Sequence, residues 1–87
     1  MNGNLTDVHW LLIDLCSNGG YCDASRHPER FVPLVAEGPE TFADAVLVVE
    51  GLDPETMDKR QRRGVVSFVT ERFELWAERE RASRGAV

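Results

Sequence analysis

Apolar residues recur at helical spacing in three stretches of this chain. The longest stretch runs from Asp53 to Ala82. In it Val65, Val69, Phe73 and Trp76 are separated by four, four and three residues, and Phe68 and Leu75 widen the stripe. That period belongs to an amphipathic helix and not to a strand. Asp53-Pro54-Glu55-Thr56 supplies an N-cap aspartate, a proline at the first helical position and a glutamate in the first turn. The pattern predicts one long helix over 53–82, or two collinear helices parting at Gly64, with residues 83–87 fraying. Thirty residues of helix span about 45 Å, whereas a compact chain of this length is about 30 Å across. Such a helix overhangs the globule, breaks at Gly64 or packs against a second copy.

The first stretch covers residues 5–17. Leu5, Val8, Leu12 and Leu15 lie at spacings of three, four and three, Leu11 and Ile13 widen the face and Cys16 extends it. Asn4 or Thr6 caps this helix and Asp7 sits in its first turn. Asn18-Gly19-Gly20 ends it, because these residues accept positive φ most easily. Trp10 falls on the side away from Val8 and Leu12. Residues 18–27 form the longest polar connection. Pro28 opens a turn over 28–32. Pro33, which a helix tolerates only near its start, begins a short helix over 33–37 that Gly38 closes.

The third stretch opens at Pro39-Glu40 and closes at Gly51. Seven of the eight residues from Phe42 to Val49 are apolar, and a helix apolar nearly all round is expected at the centre of a bundle. A buried strand over 46–49 would find no second strand to pair with. The fold class is therefore all-α: one domain over residues 1–87, a bundle of about four helices with a long C-terminal helix.

Composition agrees with a folded globule and narrows the function. Of the 87 residues 43% are hydrophobic and 29% charged, which argues against disorder. The longest apolar runs are far shorter than the roughly 20 residues of a membrane span. Met1-Asn2-Gly3-Asn4 has no basic region ahead of an apolar one, so the expected location is cytoplasmic. The net charge of −5 is unevenly spread. Residues 1–58 carry 11 acidic side chains against 2 arginines, and residues 59–87 carry 8 basic against 4 acidic. The basic C-terminal helix either lies across the acidic body or offers a partner an electrostatically steered surface. Overall acidity disfavours non-specific binding of nucleic acid.

Candidate chemistry is thin. His9, Cys16, Cys22 and His27 are the only His and Cys residues. Two thiolates and two imidazoles suit a closed tetrahedral zinc site, although no Cys-x-x-Cys knuckle is present. Two buried or tucked thiols with exposed histidines, and a Cys16–Cys22 disulfide, are the competing readings. The loop from Cys16 to Cys22 lacks the arginine and the leading strand of a phosphatase anion loop. No nucleophile elbow or phosphate-binding glycine loop occurs, so no enzymatic activity is expected. Lys59-Arg60-Gln61-Arg62-Arg63 is a compact basic run. On one helix face it would meet phosphates or an acidic partner, and Glu55 and Asp58 stand four residues before Lys59 and Arg62 to pair with it.

Gly20-Tyr21-Cys22, Phe42-Ala43-Asp44-Ala45-Val46 and Glu50-Gly51-Leu52-Asp53-Pro54 together resemble a group of small uncharacterised actinobacterial proteins. The resemblance covers about residues 11–73 and implies a bacterial cytoplasmic origin, with no activity attached. The expected role is a small non-enzymatic interaction or regulatory module. Its surface is placed at Arg60, Arg63, Phe73 and Trp76, and its partner is a protein, with a second copy of the chain among the candidates. The alternatives are a zinc-stabilised module using His9, Cys16, Cys22 and His27, and a DNA-associated regulator using 59–63.

Overall fold

A computed structural model describes residues 3–85. Among them are three α-helices, α1 (Leu5–Gly19), α2 (Pro39–Val49) and α3 (Lys59–Gly85), with no strand. Three short 3-10 helices, Ala24–Arg26, Pro28–Arg30 and Pro33–Glu37, bridge α1 and α2. The chain is a small all-α bundle with a long C-terminal helix.

Local chemistry sets the ends of α1. The Asn4 side chain accepts the Asp7 N–H at 2.8 Å, which satisfies one of the orphan donors of the first turn. Gly20 takes φ 78° and turns its N–H back to the last carbonyls, a left-handed cap that glycine adopts without strain. Val8, Leu11, Leu12 and Leu15 form the buried face. Leu5 does not join it and is exposed, since at 100° per residue it lies at the edge of the arc those four residues occupy.

The connection to α2 is compact. Pro28 and Pro33 each stand at the start of a 3-10 turn, the position where a missing N–H costs nothing. Tyr21, Ala24, Phe31 and Val35 project from this connection into the core. In α2, Phe42, Ala43, Val46 and Leu47 are buried, while Val48 is 60% exposed and Val49 is also exposed. The expectation of a helix wrapped on all sides is thereby corrected. Most of the packing on α2 comes from α3 and the 33–37 turn, and Val48 and Val49 stay outside it.

The start of α3 also differs from expectation. Asp53 does organise a turn: its side chain accepts the Glu55 N–H at 2.9 Å and its carbonyl accepts Met57 N–H at 2.9 Å. The turn stops there, and Met57 packs on the core. Asp58 then caps the helix proper, its carboxylate accepting the Arg60 N–H at 2.8 Å. Two aspartates five residues apart each start a turn, and only the second is followed by the apolar stripe. Asp58 is thus a cap, and its expected side-chain pairing with Arg62 does not form.

From Lys59 the helix runs through Gly64 without a break. Its 27 residues are about 40 Å long, which accounts for a molecule measuring 47 × 24 × 22 Å. No described α3 residue beyond Trp76 is buried, so within the single chain the helix overhangs the globule and does not break at Gly64. Helicity continues to Gly85, and the rest of the expected frayed end, residues 86–87, lies outside the described residues.

Rings tie the layers together. Phe31 meets Phe42 at 5.5 Å, Phe42 meets Phe73 edge-on at 5.4 Å, and Phe73 stacks on Trp76 at 5.2 Å. Such offset and edge contacts add to the area these rings bury. One aromatic line therefore joins the 3-10 turns, α2 and α3.

Candidate interaction surface

The residues expected to bind a partner do not form one surface. Arg60 and Arg63 are exposed near the start of α3. Trp76 is 4% exposed and Phe73 half-buried, about 20 Å further along the helix. Trp76 is closed over by the segment before α1: a Cβ added at Gly3 would stand 2.7 Å from the indole ring. Phe73 and Trp76 are therefore core residues, and the docking role expected of them is corrected. The overhang that seemed to leave them bare begins only after Trp76.

The exposed apolar surface lies beside them. Trp10 is 59% exposed and Leu75 is 54% exposed. The two share the wall of a shallow cavity of about 410 Å³ with Asp7, Arg72, Trp76 and Arg79. Leu75 is one residue from Trp76, hence about 100° round the helix from it, and that rotation moves it from the core to the rim. Ion pairs between helices frame the cavity. Arg72 bonds Asp14 at 2.6 Å and Arg79 bonds Asp7 at 2.9 Å, so two ion pairs tie α1 to α3 beside the cavity that Trp10 and Leu75 line. Arg72 also lies over the Phe68 ring at 5.2 Å, a cation–π contact.

The basic run is divided by the fold. Arg62 turns inward and reaches Asp44 and Glu40, each at 2.9 Å. The hydrogen bonds to Asp44 first, and then to Glu40, push the guanidinium pKa above its ordinary value, so this arginine stays charged throughout the range in which proteins fold. Gln61 donates to the Tyr21 hydroxyl at 2.8 Å. That leaves Lys59, Arg60 and Arg63, which form no ion pair within the described chain. The pairing expected between Glu55 and Lys59 is absent because Glu55 precedes the helix. The acidic body and basic helix are thus complementary at Asp7, Asp14, Glu40 and Asp44, and a continuous phosphate-binding face is not formed.

The zinc alternative is corrected as well. Cys16 and Cys22 are joined in a disulfide, so neither offers a thiolate. His9 is exposed on α1, and His27 lies 3.7 Å from Glu29 on the surface. No group of three or more His, Cys, Asp or Glu residues suited to a metal occurs among the described residues. The disulfide instead closes the loop that carries Tyr21 back onto the bundle. Next to it the Ala24 N–H donates to the Glu50 carboxylate at 3.0 Å, which anchors the first 3-10 turn to the end of α2.

Comparison with protein-family models, with curated proteins and with solved structures finds no significant match. No helix among the described residues is long and apolar enough to cross a membrane.

Proposed function

We propose that this chain is a small non-enzymatic protein-interaction module that docks a protein partner on the α1–α3 face centred on Trp10 and Leu75. The observation that carries this reading is the pair itself. Two large exposed apolar side chains from different helices line one shallow cavity, on helices that two ion pairs hold together. Tryptophan in a rigid, part-apolar setting is the side chain most often found to dominate a binding interface. A contiguous apolar patch rimmed by charge is the surface such interfaces use.

The fitting partner presents an apolar side chain to the cavity between Trp10 and Leu75 and hydrogen-bond acceptors to the rim arginines. Cross-linking capture from the native host, run in parallel with the wild type and a Trp10→Ala, Leu75→Ala variant, tests this. A partner held by the wild type and lost by the variant, with helical circular dichroism unchanged, supports the docking face. Identical capture by both proteins counts against it.

A further inference from the structure

Most of the charged side chains of α3 that form no ion pair within the described chain are arranged on one face, with Lys59 just outside it. Arg60, Arg63, Ser67, Glu71, Glu74 and Glu78 are all exposed. At 100° per residue they fall within an arc of about 80°. The centre of that arc lies about 180° round the helix from the buried Val65, Val69 and Trp76, so the stripe looks directly away from the core. It is basic at Arg60 and Arg63 and acidic from Glu71 to Glu78, with Arg81 following on the same face beyond them. None of its five charged residues forms an ion pair within the described chain.

In the single chain this arrangement is unfavourable. Arg60 and Arg63 are three residues apart, as are Glu71 and Glu74, and Glu74 and Glu78 are four apart. Like charges at those spacings repel along a helix. The arginines flanking the core, Arg62, Arg72 and Arg79, each meet a carboxylate on another element, in contrast to those of the outer face.

The sequence positions point to what supplies the partners. Position 67 is midway between 60 and 74, and also midway between 63 and 71. We propose that the outer face of α3 pairs antiparallel with the same face of a second copy, about a two-fold axis at Ser67. Arg60 of each copy then meets Glu74 of the other, and Arg63 meets Glu71. A two-fold interface uses one patch twice and so requires it to be self-complementary, which an oppositely charged stripe with a central pivot satisfies. Ser67 and the exposed Gly64, where an added Cβ would meet nothing within 4 Å, keep the middle of the stripe low enough for two helices to approach. The Trp10–Leu75 cavity lies on the neighbouring face with Leu75 at the border of the stripe, and variants that change only the stripe's charges leave Trp10 and Leu75 in place, so the two readings can fail separately.

Sedimentation equilibrium of the full chain tests the pairing. The wild type is expected to show a monomer–dimer equilibrium whose dissociation constant rises about tenfold or more from low to high salt, since exposed pairs are screened by ions. R60E/R63E and E71R/E74R are each expected to remain monomeric, because every cross-copy pair becomes like-charged. The quadruple variant R60E/R63E/E71R/E74R keeps the wild-type net charge and is expected to dimerise again. A one-to-one mixture of the two double variants is expected to do so too, and it provides the same test should the quadruple variant misfold. A wild type that stays monomeric at low salt overturns the proposal. So do charge-reversed variants that dimerise as the wild type does, or a restoration that fails in both the quadruple variant and the mixture.

Discussion

The two sides of α3 carry the same kinds of residue to opposite ends. On the inner side Val65, Val69 and Trp76 are buried, and Arg62, Arg72 and Arg79 are each held by a carboxylate from α1 or α2. On the outer side Arg60, Arg63, Glu71 and Glu74 are charged, exposed and unpaired. The difference is one of position: an arginine on this helix becomes structural only where the acidic body comes within reach. The comparison teaches that a segment's net charge does not reveal its partner. Part of the basic charge of residues 59–87 is used internally, and the remainder is what another molecule would meet.

Substitutions should separate the two sides by size of effect. The largest belongs to Trp76→Ala, which removes a ring packed against Phe73 and the Gly3 segment. It is expected to cost about 3–5 kcal/mol, the range for large-to-small aromatic substitutions in cores, read as an early transition in urea. A loss below about 1 kcal/mol would remove Trp76 from the core. Next comes the latch that holds Tyr21 against Gln61 on the inner side. Reduction of Cys16–Cys22, or Cys16→Ser with Cys22→Ser, is expected to cost about 2 kcal/mol, the loop-closure value for so short a ring. Thermal melts with and without a thiol reductant check it, and coincident melts would show that the bond does not stabilise the fold.

Smaller effects sharpen the contrast. Arg72→Met breaks the pair with Asp14 and the contact over Phe68. It is expected to cost about 1 kcal/mol, whereas Arg60→Met on the outer side should stay within about 0.5 kcal/mol in dilute protein. Equal losses from the two in chemical denaturation would erase the distinction between the faces. Gly64→Ala is expected to raise stability by about 0.5–1 kcal/mol, because the site is helical, open and unstrained. A lowered midpoint would show that the glycine is needed for close approach.

Much of the fold was legible in the chain because local signals end and start helices locally. Asn4, Gly20, Pro33, Gly38, Pro39 and Gly51 each do within a turn or two what their chemistry dictates. The site was less legible. Trp10 and Trp76 are both tryptophans on amphipathic helices, and they line the same cavity from opposite sides of the surface. Periodicity places each on a helix face, but whether that face is covered depends on a distant segment. Gly3 and Val35 meet at the Trp76 side of the cleft, and nothing comparable reaches Trp10. Leu75 was visible as part of an apolar cluster near the C-terminus. Its separation from Phe73 and Trp76 follows only from the rotation that the packed helix adopts.

By itself, then, the sequence determined an all-α chain, the order of its elements, most of their ends and the opposition of an acidic body to a basic helix. These rest on backbone φ preferences, caps and side-chain periodicity, all of which act over a few residues. Tertiary structure decided that α3 starts at Asp58 and not Asp53, that Leu5 and Val48 stay in water while Trp76 leaves it, that Cys16 bonds Cys22, and which arginines are spent on Asp7, Asp14 and Asp44. Each of these depends on which surfaces meet across the bundle, and contact between residues tens of positions apart is a property of the packed chain, not of any segment within it.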